Sequence, residues 1–123
     1  MLKGNLYTLD KVERNREGHY TVNAELNVDH NIFKGHFPGQ PVLPGVCLLE
    51  MLKEILNQET GRSYFLSEGT NIKYVKLVDP TLDNRLKFDI ITKADPKGLI
   101  VTASTFLENG EANFKFKGLF ELK

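Results

Sequence analysis

Apolar and polar residues alternate along several stretches of the chain, and this period of two predicts β-strands. The first two stretches flank a polar turn at 15–18 and predict a hairpin, with strands over 6–12 and 19–28. Four further strands are predicted after a helical segment, over 64–78, around 86–90, over 99–107 and over 114–122. Gly69 is a candidate bulge in the first of these four. Asn109-Gly110 predicts a hairpin between the last two, because type I′ turns favour that dipeptide.

One segment, from Val46 to about Gln58, has the pattern of a buried helix. Apolar residues cover most of its circumference, and Glu50 and Glu54 belong to a narrow polar stripe. Gly61 supplies a stop signal. Two strands, one helix and four strands predict an α+β fold, in which one central helix is wrapped by a curved antiparallel sheet of about six strands. The edges of such a sheet are unpaired, which favours dimerisation through an edge.

The size and composition limit the classes of function. A chain of 123 residues with 41% hydrophobic residues predicts a single domain over 1–123. Acidic and basic residues number 16 each, so a dedicated nucleic-acid binder is excluded and self-association is favoured. Cys47 is the one cysteine, which excludes an internal disulfide, and its position on the apolar helix predicts a core residue. No apolar run is long enough for membrane insertion, and we expect a cytoplasmic location.

A stretch rich in glycine and proline, over 35–45, precedes the helix and carries the candidate chemistry. Such a stretch predicts neither a helix nor a central strand but a stiff, irregular loop, where functional groups are often held. His36 lies on this loop, Gly45 opens the helix, and Glu50 lies about one and a half turns into it. Imidazole is the commonest general base, free N–H groups at a helix start can bind an oxyanion, and a shielded carboxyl can act as an acid. These three groups are what elimination beside a carbonyl requires.

The string GHFPGQPVLPGVCLLE, residues 35–50, resembles the signature of the FabZ/FabA type of 3-hydroxyacyl-acyl carrier protein dehydratases. In that family a histidine precedes the helix carboxylate by fourteen residues, the separation of His36 and Glu50. Weaker similarity continues over 71–80, where the family has a basic and aromatic strand. The resemblance implies the hot-dog fold and a hydro-lyase that forms trans-2-enoyl thioesters in fatty-acid or related lipid and polyene biosynthesis.

The resemblance also implies a role for each residue. His36 would remove the C2 proton, Glu50 would protonate the departing 3-hydroxyl, the N–H of Gly45 would bind the thioester oxygen, and Phe37 would contact the substrate. In the family these groups meet across a dimer interface, so a homodimer or higher even oligomer with shared active sites is implied. No metal or redox cofactor is implied, and the substrate arrives on the phosphopantetheine of acyl carrier protein. Gly45 is also open to a simpler interpretation, a steric requirement at the helix start.

The chain departs from the family pattern just after the acidic residue. The family usually reads Ala-Met-Ala-Gln, whereas this chain reads Met-Leu-Lys-Glu over 51–54, so Glu54 places a second carboxylate where the family has glutamine. The turn after Val78 also lacks the usual glycine. These departures argue against housekeeping fatty-acid synthesis and leave two alternatives open, a specialised pathway and a weakly active homologue.

Two other functions are compatible with this scaffold. One is a hot-dog acyl thioesterase, and the other is a non-catalytic acyl-binding or pairing subunit of a dehydratase complex. The basic residues have two interpretations as well, a rim on which an acidic carrier protein docks or a scattered solvated surface: Lys34, Lys73, Lys76, Arg85 and Lys87.

Overall fold

The structure of the chain, a computed structural model, describes residues 1–35, 39 and 41–123. The elements in chain order are β1 (Tyr7–Arg16), β2 (His19–Leu26), α1 (Ile32–Gly35), α2 (Gly45–Thr60), β3 (Tyr64–Tyr74), β4 (Arg85–Asp95), β5 (Gly98–Phe106) and β6 (Ala112–Leu122). All six strands form one antiparallel sheet in the order β1-β2-β4-β5-β6-β3. The strands β1 and β3 are therefore its two edges. This arrangement confirms the predicted α+β hot-dog fold with six strands and one main helix.

The core lies between α2 and one face of the sheet. In β4 every second residue, Leu86, Phe88 and Ile90, is buried, as the period of two predicts. The facing side of α2 contributes Met51, Leu52, Ile55 and Leu56, all at most 1% exposed. Burying each such side chain stabilises the fold by about 1.5–3 kcal/mol. The helix is thus fixed against the sheet, and the residues on its first two turns have set positions.

The two ends of α2 follow from proline and glycine. Pro44 precedes the first helical residue with an extended backbone, φ −61° and ψ 143°, and the helix starts at Gly45, one residue before the predicted start. Gly61 has φ 69°, the left-handed conformation that glycine adopts without strain, and its N–H donates to Asn57 O at 2.9 Å. The predicted stop at Gly61 is confirmed.

The hairpin at Asn109-Gly110 is present, but its turn is not the predicted type. A type I′ turn needs positive φ at both central residues. Only Gly110 has positive φ, at 92°. The N–H of Gly110 donates to Leu107 O and the N–H of Leu107 to Glu111 O, both at 2.9 Å. These bonds fit a three-residue loop closed by a glycine bulge, so the expectation of type I′ geometry is wrong.

The edge strand β3 is shorter than predicted and irregular where a bulge is predicted. It ends at Tyr74 rather than 78, because the next two N–H groups both turn to one carbonyl, Asn113 O, at 2.9 and 3.2 Å. The register with β6 shifts on both sides of Gly69, which lies opposite Gly118. A Cβ on Gly118 would lie 2.5 Å from Glu68 O, so the two backbones approach more closely there than a side chain allows.

Candidate active site

The predicted histidine lies outside the described residues, but both ends of its loop are anchored in the structure. His36 and Phe37 are not among the described residues. The short helix α1 ends at Gly35, and its Phe33 is 6% exposed in the core. On the other side Leu43 is 4% exposed, and its N–H donates to Val78 O at 2.9 Å. The described residues on the two sides of this segment, Phe33 and Leu43, are therefore both part of the core.

Gly45 occupies the first position of α2 with the ring of Tyr74 packed directly over it. A Cβ on Gly45 would lie 2.5 Å from Tyr74 Cζ and 2.8 Å from its hydroxyl oxygen. The ring of Tyr74 is held in turn by stacking on Phe114, with centroids 5.1 Å apart. Among the described residues, no backbone or side-chain acceptor takes the N–H of Gly45. The steric requirement for glycine is thus real, and this N–H is one of the first of the helix, which have no acceptor within the helix itself.

Tyr74 is a residue of this region that sequence reasoning missed. Burial raises the pKa of its phenol, although about half of the residue remains exposed. Its place in the weakly similar segment 71–80 was the available signal, but the pattern does not reveal that the ring covers Gly45.

Glu50 lies on the second turn of α2 at the margin of the buried region. Its side chain is 38% exposed and forms an ion pair with Lys53, with Oε2 2.7 Å from Nζ. On the buried side its charge contributes, after burial, to the raised pKa of the Cys47 thiol. Cys47 itself is 5% exposed in the core, which confirms the sequence expectation. Glu50 is therefore half open to solvent in the single chain.

Glu54, one helical turn further on, is buried and has three hydrogen-bond donors. It is 6% exposed and accepts hydrogen bonds from the Leu2 N–H at 2.8 Å, the Lys3 N–H at 3.0 Å and the Tyr7 hydroxyl at 2.9 Å. Burial acts to raise the pKa of Glu54, but these three bonds and one from Glu50 outweigh it and lower that pKa. Burial and the contact with Glu54 raise the pKa of Tyr7. Glu54 is thus a charged group that ties the N-terminal segment and β1 to α2.

The second edge of the sheet carries an exposed apolar surface. Six large apolar residues there are 38–73% exposed; they belong to β3, to the segment after it and to the start of α2. We call this set the β3 patch: Val46, Phe65, Ile72, Tyr74, Val75 and Leu77. Large exposed apolar side chains near an unpaired edge strand are typical of surfaces that pair with another chain.

The candidate basic rim is partly neutralised. Arg85 pairs with Asp10 and with Glu25, and Lys76 Nζ lies 3.0 Å from Glu111 Oε1. Lys73 lies opposite Lys115 in the β3–β6 ladder, and both are exposed. Because both side chains of this pair are exposed and positively charged, they form a local positive surface. Like charges directly opposite each other in a sheet are unfavourable.

Residues 1–35, 39 and 41–123 contain no group of three His, Cys, Asp or Glu residues that could hold a metal ion. None of the helices found there is long and apolar enough to cross a membrane.

Comparison with protein families identifies a matching model. The model describes the ApeI dehydratase, and the match covers residues 12–117. Curated relatives include the 3-hydroxyacyl-[acyl-carrier-protein] dehydratase FabZ of Clostridium acetobutylicum, which is 31% identical over 99 residues, 74% of this chain and 70% of that protein. The FabZ of Halalkalibacterium halodurans is 32% identical over 98 residues, 73% of this chain and 70% of that protein.

Solved structures resemble the chain in fold at low sequence identity. The dehydratase heterocomplex ApeI:P from Xenorhabdus doucetiae contains a chain with a TM-score of 0.79 and 19% identity, covering 92% of this chain and 96% of that one. A hypothetical thioesterase from Streptococcus pneumoniae, with coenzyme A, has a TM-score of 0.69 and 15% identity, covering 95% of this chain and 85% of that one. At such identities the likeness shows the fold alone, and it does not distinguish a dehydratase from a thioesterase.

Proposed function

This chain belongs to the ApeI-like dehydratase family, and we propose that it removes water from 3-hydroxyacyl thioesters carried on acyl carrier protein, forming trans-2-enoyl thioesters. The family match and the FabZ relatives confirm the reaction class predicted from the sequence, a hydro-lyase of the 3-hydroxyacyl thioester dehydratase type. The residue roles, the carrier protein and the assembly described below are proposals.

The residue roles are supported by the start of α2, where the N–H of Gly45 is free among the described residues and the carboxyl group of Glu50 lies on the second turn. The predicted loop that carries His36 leads into this helix start. His36 on that loop takes the C2 proton, and the C2 electrons form the double bond to C3. The C3–O bond breaks, and Glu50 gives its proton to the departing hydroxyl, which leaves as water. The N–H of Gly45 binds the thioester oxygen as negative charge develops on it, and the helix start favours that charge. Phe37 contacts the acyl chain.

These steps transfer one proton from the substrate to His36 and one from Glu50 to the departing hydroxyl, with no change of overall oxidation state, so they need no metal or redox cofactor. Return of a proton from His36 to Glu50, through water, restores the starting state. The phosphopantetheine arm of the carrier protein presents the thioester. Lys73 and Lys115 provide a positive surface one residue along β3 from Tyr74, and it suits an acidic carrier protein. The single domain over 1–123 and the cytoplasmic location stay predictions.

Glu50 is an efficient acid only if water is excluded from it, and we propose that a second copy of the chain does this. The β3 patch lies along an unpaired edge and includes Val46 and Tyr74, next to Gly45. Pairing two such edges would bury the patch and bring the His36 loop of one protomer to Glu50 of the other, giving shared active sites. The ion pair of Glu50 with Lys53 is weak in the single chain because both side chains are partly exposed.

The proposed dimer is tested at Leu77, which is 73% exposed within the patch. Leu77→Asp should leave the chain folded and convert dimer to monomer in sedimentation experiments, with loss of activity. Leu82→Asp is the matched control, because Leu82 is 79% exposed but does not belong to the patch. A dimer that survives Leu77→Asp would place the interface elsewhere.

The reaction is tested by incubating the protein with a 3-hydroxyacyl carrier-protein thioester and following enoyl formation. A general acid or base contributes about 10²–10⁴ in rate, so His36→Ala and Glu50→Gln should each lose at least about a hundredfold. His30→Ala and Glu59→Gln are matched controls, because both residues lie outside the proposed site and have partners of their own. His30 accepts the Ile32 N–H at 3.0 Å, and Glu59 pairs with Arg14 at 2.8 Å. Release of free thiol without enoyl would indicate a thioesterase, and no turnover with acyl binding would indicate a pairing subunit.

A further inference from the structure

The hydroxyl of Tyr74 is a polar group beside the start of α2 to which the proposed reaction gives no role. The hydroxyl of Tyr7 donates to Glu54 at 2.9 Å, whereas that of Tyr74 has no hydrogen-bond partner among the described residues. Stacking on Phe114 uses only the ring of Tyr74, as does much of the cover that it gives to Gly45. Packing alone therefore does not account for a hydroxyl at this place.

The position of Tyr74 is fixed by contacts on the strand, on the ring and on the residues that follow it. Tyr74 lies opposite Phe114 in the β3–β6 ladder, and the two rings stack with centroids 5.1 Å apart. The next two N–H groups, of Val75 and Lys76, both donate to Asn113 O at 2.9 and 3.2 Å. A hydrogen-bond donor stabilises a transition state best when it is held in place before the reaction. The hydroxyl of Tyr74 meets this condition.

The hydroxyl and the N–H of Gly45 are close enough to bind one oxygen atom together. A Cβ on Gly45 would lie 2.8 Å from the hydroxyl oxygen of Tyr74, and it would be about 2.5 Å from its own nitrogen by covalent geometry. The nitrogen and the hydroxyl oxygen are therefore at most about 5.3 Å apart. Two donors that each bind the same oxygen at about 2.9 Å can be up to about 5.8 Å apart. One carbonyl oxygen in front of the helix start can thus accept from both groups.

We propose that the Tyr74 hydroxyl is a catalytic group, the second hydrogen-bond donor to the thioester oxygen beside the N–H of Gly45. The inference rests on the proposed function, which supplies the reaction and the role of Gly45. Negative charge develops on the thioester oxygen as the C2 proton leaves, and two fixed donors stabilise that charge better than one does.

The surroundings of the phenol suit a neutral donor. Burial raises the pKa of Tyr74, so the hydroxyl keeps its proton at neutral pH. Tyr74 belongs to the β3 patch, and pairing of two such edges would cover its exposed half. Exclusion of water would strengthen a hydrogen bond from the hydroxyl to the substrate, because water no longer competes for it.

The kinetics of Tyr74→Phe test the proposal, because this change removes the hydroxyl and keeps the ring. We expect kcat to fall about 10- to 100-fold with KM nearly unchanged, since the bond is stronger in the transition state than in the bound substrate. The melting temperature should stay that of the wild type, because the hydroxyl has no partner in the described protein. Tyr20→Phe is the matched control: Tyr20 is partly buried in β2, and three strands separate β2 from β3. Wild-type kcat in Tyr74→Phe, or a higher KM with unchanged kcat, would overturn the proposal.

Infrared difference spectroscopy tests the hydrogen bond without turnover. The probe is a butanoyl carrier-protein thioester with carbon-13 at the carbonyl, which has no 3-hydroxyl and cannot be dehydrated. Hydrogen bonds lower the carbonyl stretching frequency, so the lowering on binding should be smaller in Tyr74→Phe than in the wild type and in Tyr20→Phe. Equal frequencies in the wild type and Tyr74→Phe would overturn the proposal. Absence of elimination by the wild-type protein would instead refute the proposed function, and the spectra would still decide whether the hydroxyl binds the thioester oxygen.

Discussion

Replacement of Glu54 by leucine should cost more stability than a surface substitution, because three donors depend on that carboxylate. Leucine has a similar volume and keeps the apolar contacts of this position on α2. It removes the acceptor for the N–H groups of Leu2 and Lys3 and for the hydroxyl of Tyr7. The change therefore isolates the hydrogen bonds from the packing of the helix.

The size of the loss in stability depends on whether each hydrogen-bond donor can reach water once the Glu54 carboxylate is removed. Tyr7 is 1% exposed, so its hydroxyl loses its only acceptor among the described residues and cannot reach water without rearrangement. A buried donor left without a partner costs about 1–3 kcal/mol. The N–H groups of Leu2 and Lys3 lie in partly buried bonds and can regain water, so each costs about 0.5–1 kcal/mol. The expected decrease in the free energy of unfolding is about 2–5 kcal/mol.

A double-mutant cycle in urea at neutral pH measures this loss and assigns it. The four proteins are the wild type, Glu54→Leu, Tyr7→Phe and the double variant, compared at one protein concentration because a dimer's stability depends on concentration. Removing both partners of the buried bond leaves no orphan, so the double variant should be more stable than the sum of the single losses predicts. We expect a coupling energy of about 1–2 kcal/mol. Additive losses, or a Glu54→Leu loss below about 0.5 kcal/mol, would refute the reasoning.

Three further predictions concern the protonation of Glu54, the protonation of Tyr7 and the space around Gly45. The pKa of Glu54 is lowered in the native state, so the carboxylate stabilises the fold above the ordinary pKa of 4.5, and this stabilisation is lost as the pH falls through the native pKa. The melting temperatures of the wild type and Glu54→Gln should therefore converge in acid. Because the pKa of Tyr7 is raised, its contribution is present below the ordinary value of 10.0 and is lost as the pH rises above it, so Tyr7→Phe should unfold less readily in alkali than the wild type does. Gly45→Ala would place a Cβ 2.5 Å from the ring of Tyr74 and should destabilise the protein by about 1–3 kcal/mol in thermal unfolding. Adding Tyr74→Ala should restore stability, and unchanged melting of Gly45→Ala would contradict the steric requirement.

The order of elements could be predicted from the sequence because local patterns determine it. The period of two in Leu86, Phe88 and Ile90 reports burial on one face, and Gly61 stops α2 where only a left-handed residue fits. Both features involve residues that are close in sequence. The reaction class was likewise within reach, since the motif is dense around Glu50.

What could not be predicted depends on contacts between distant parts of the chain. The partners of Glu54 lie 47 to 52 residues away, and no local pattern joins them. The end of β3 at Tyr74 is set by a carbonyl of Asn113, which belongs to another strand. The turn at Asn109-Gly110 was assigned from the preference of the dipeptide, but hydrogen bonds of the flanking residues select a different geometry.

The placement of His36 relative to Glu50 is the part of the site that stays a prediction, because His36 lies outside the described residues. The structure gives the anchors of its loop and the position of Glu50. The proposal that the two groups meet across two protomers follows from the family and from the β3 patch. It therefore needs a measurement that reports on both residues at once.

Mixing two inactive variants tests this central claim most directly. His36→Ala and Glu50→Gln are each expected to be inactive alone. If Glu50 serves the partner's His36, a mixed dimer has one site with both groups intact, so an equal mixture allowed to exchange subunits should recover about a quarter of wild-type enoyl formation. If exchange is verified by mass spectrometry and the mixture stays as inactive as either variant alone, the shared site is contradicted.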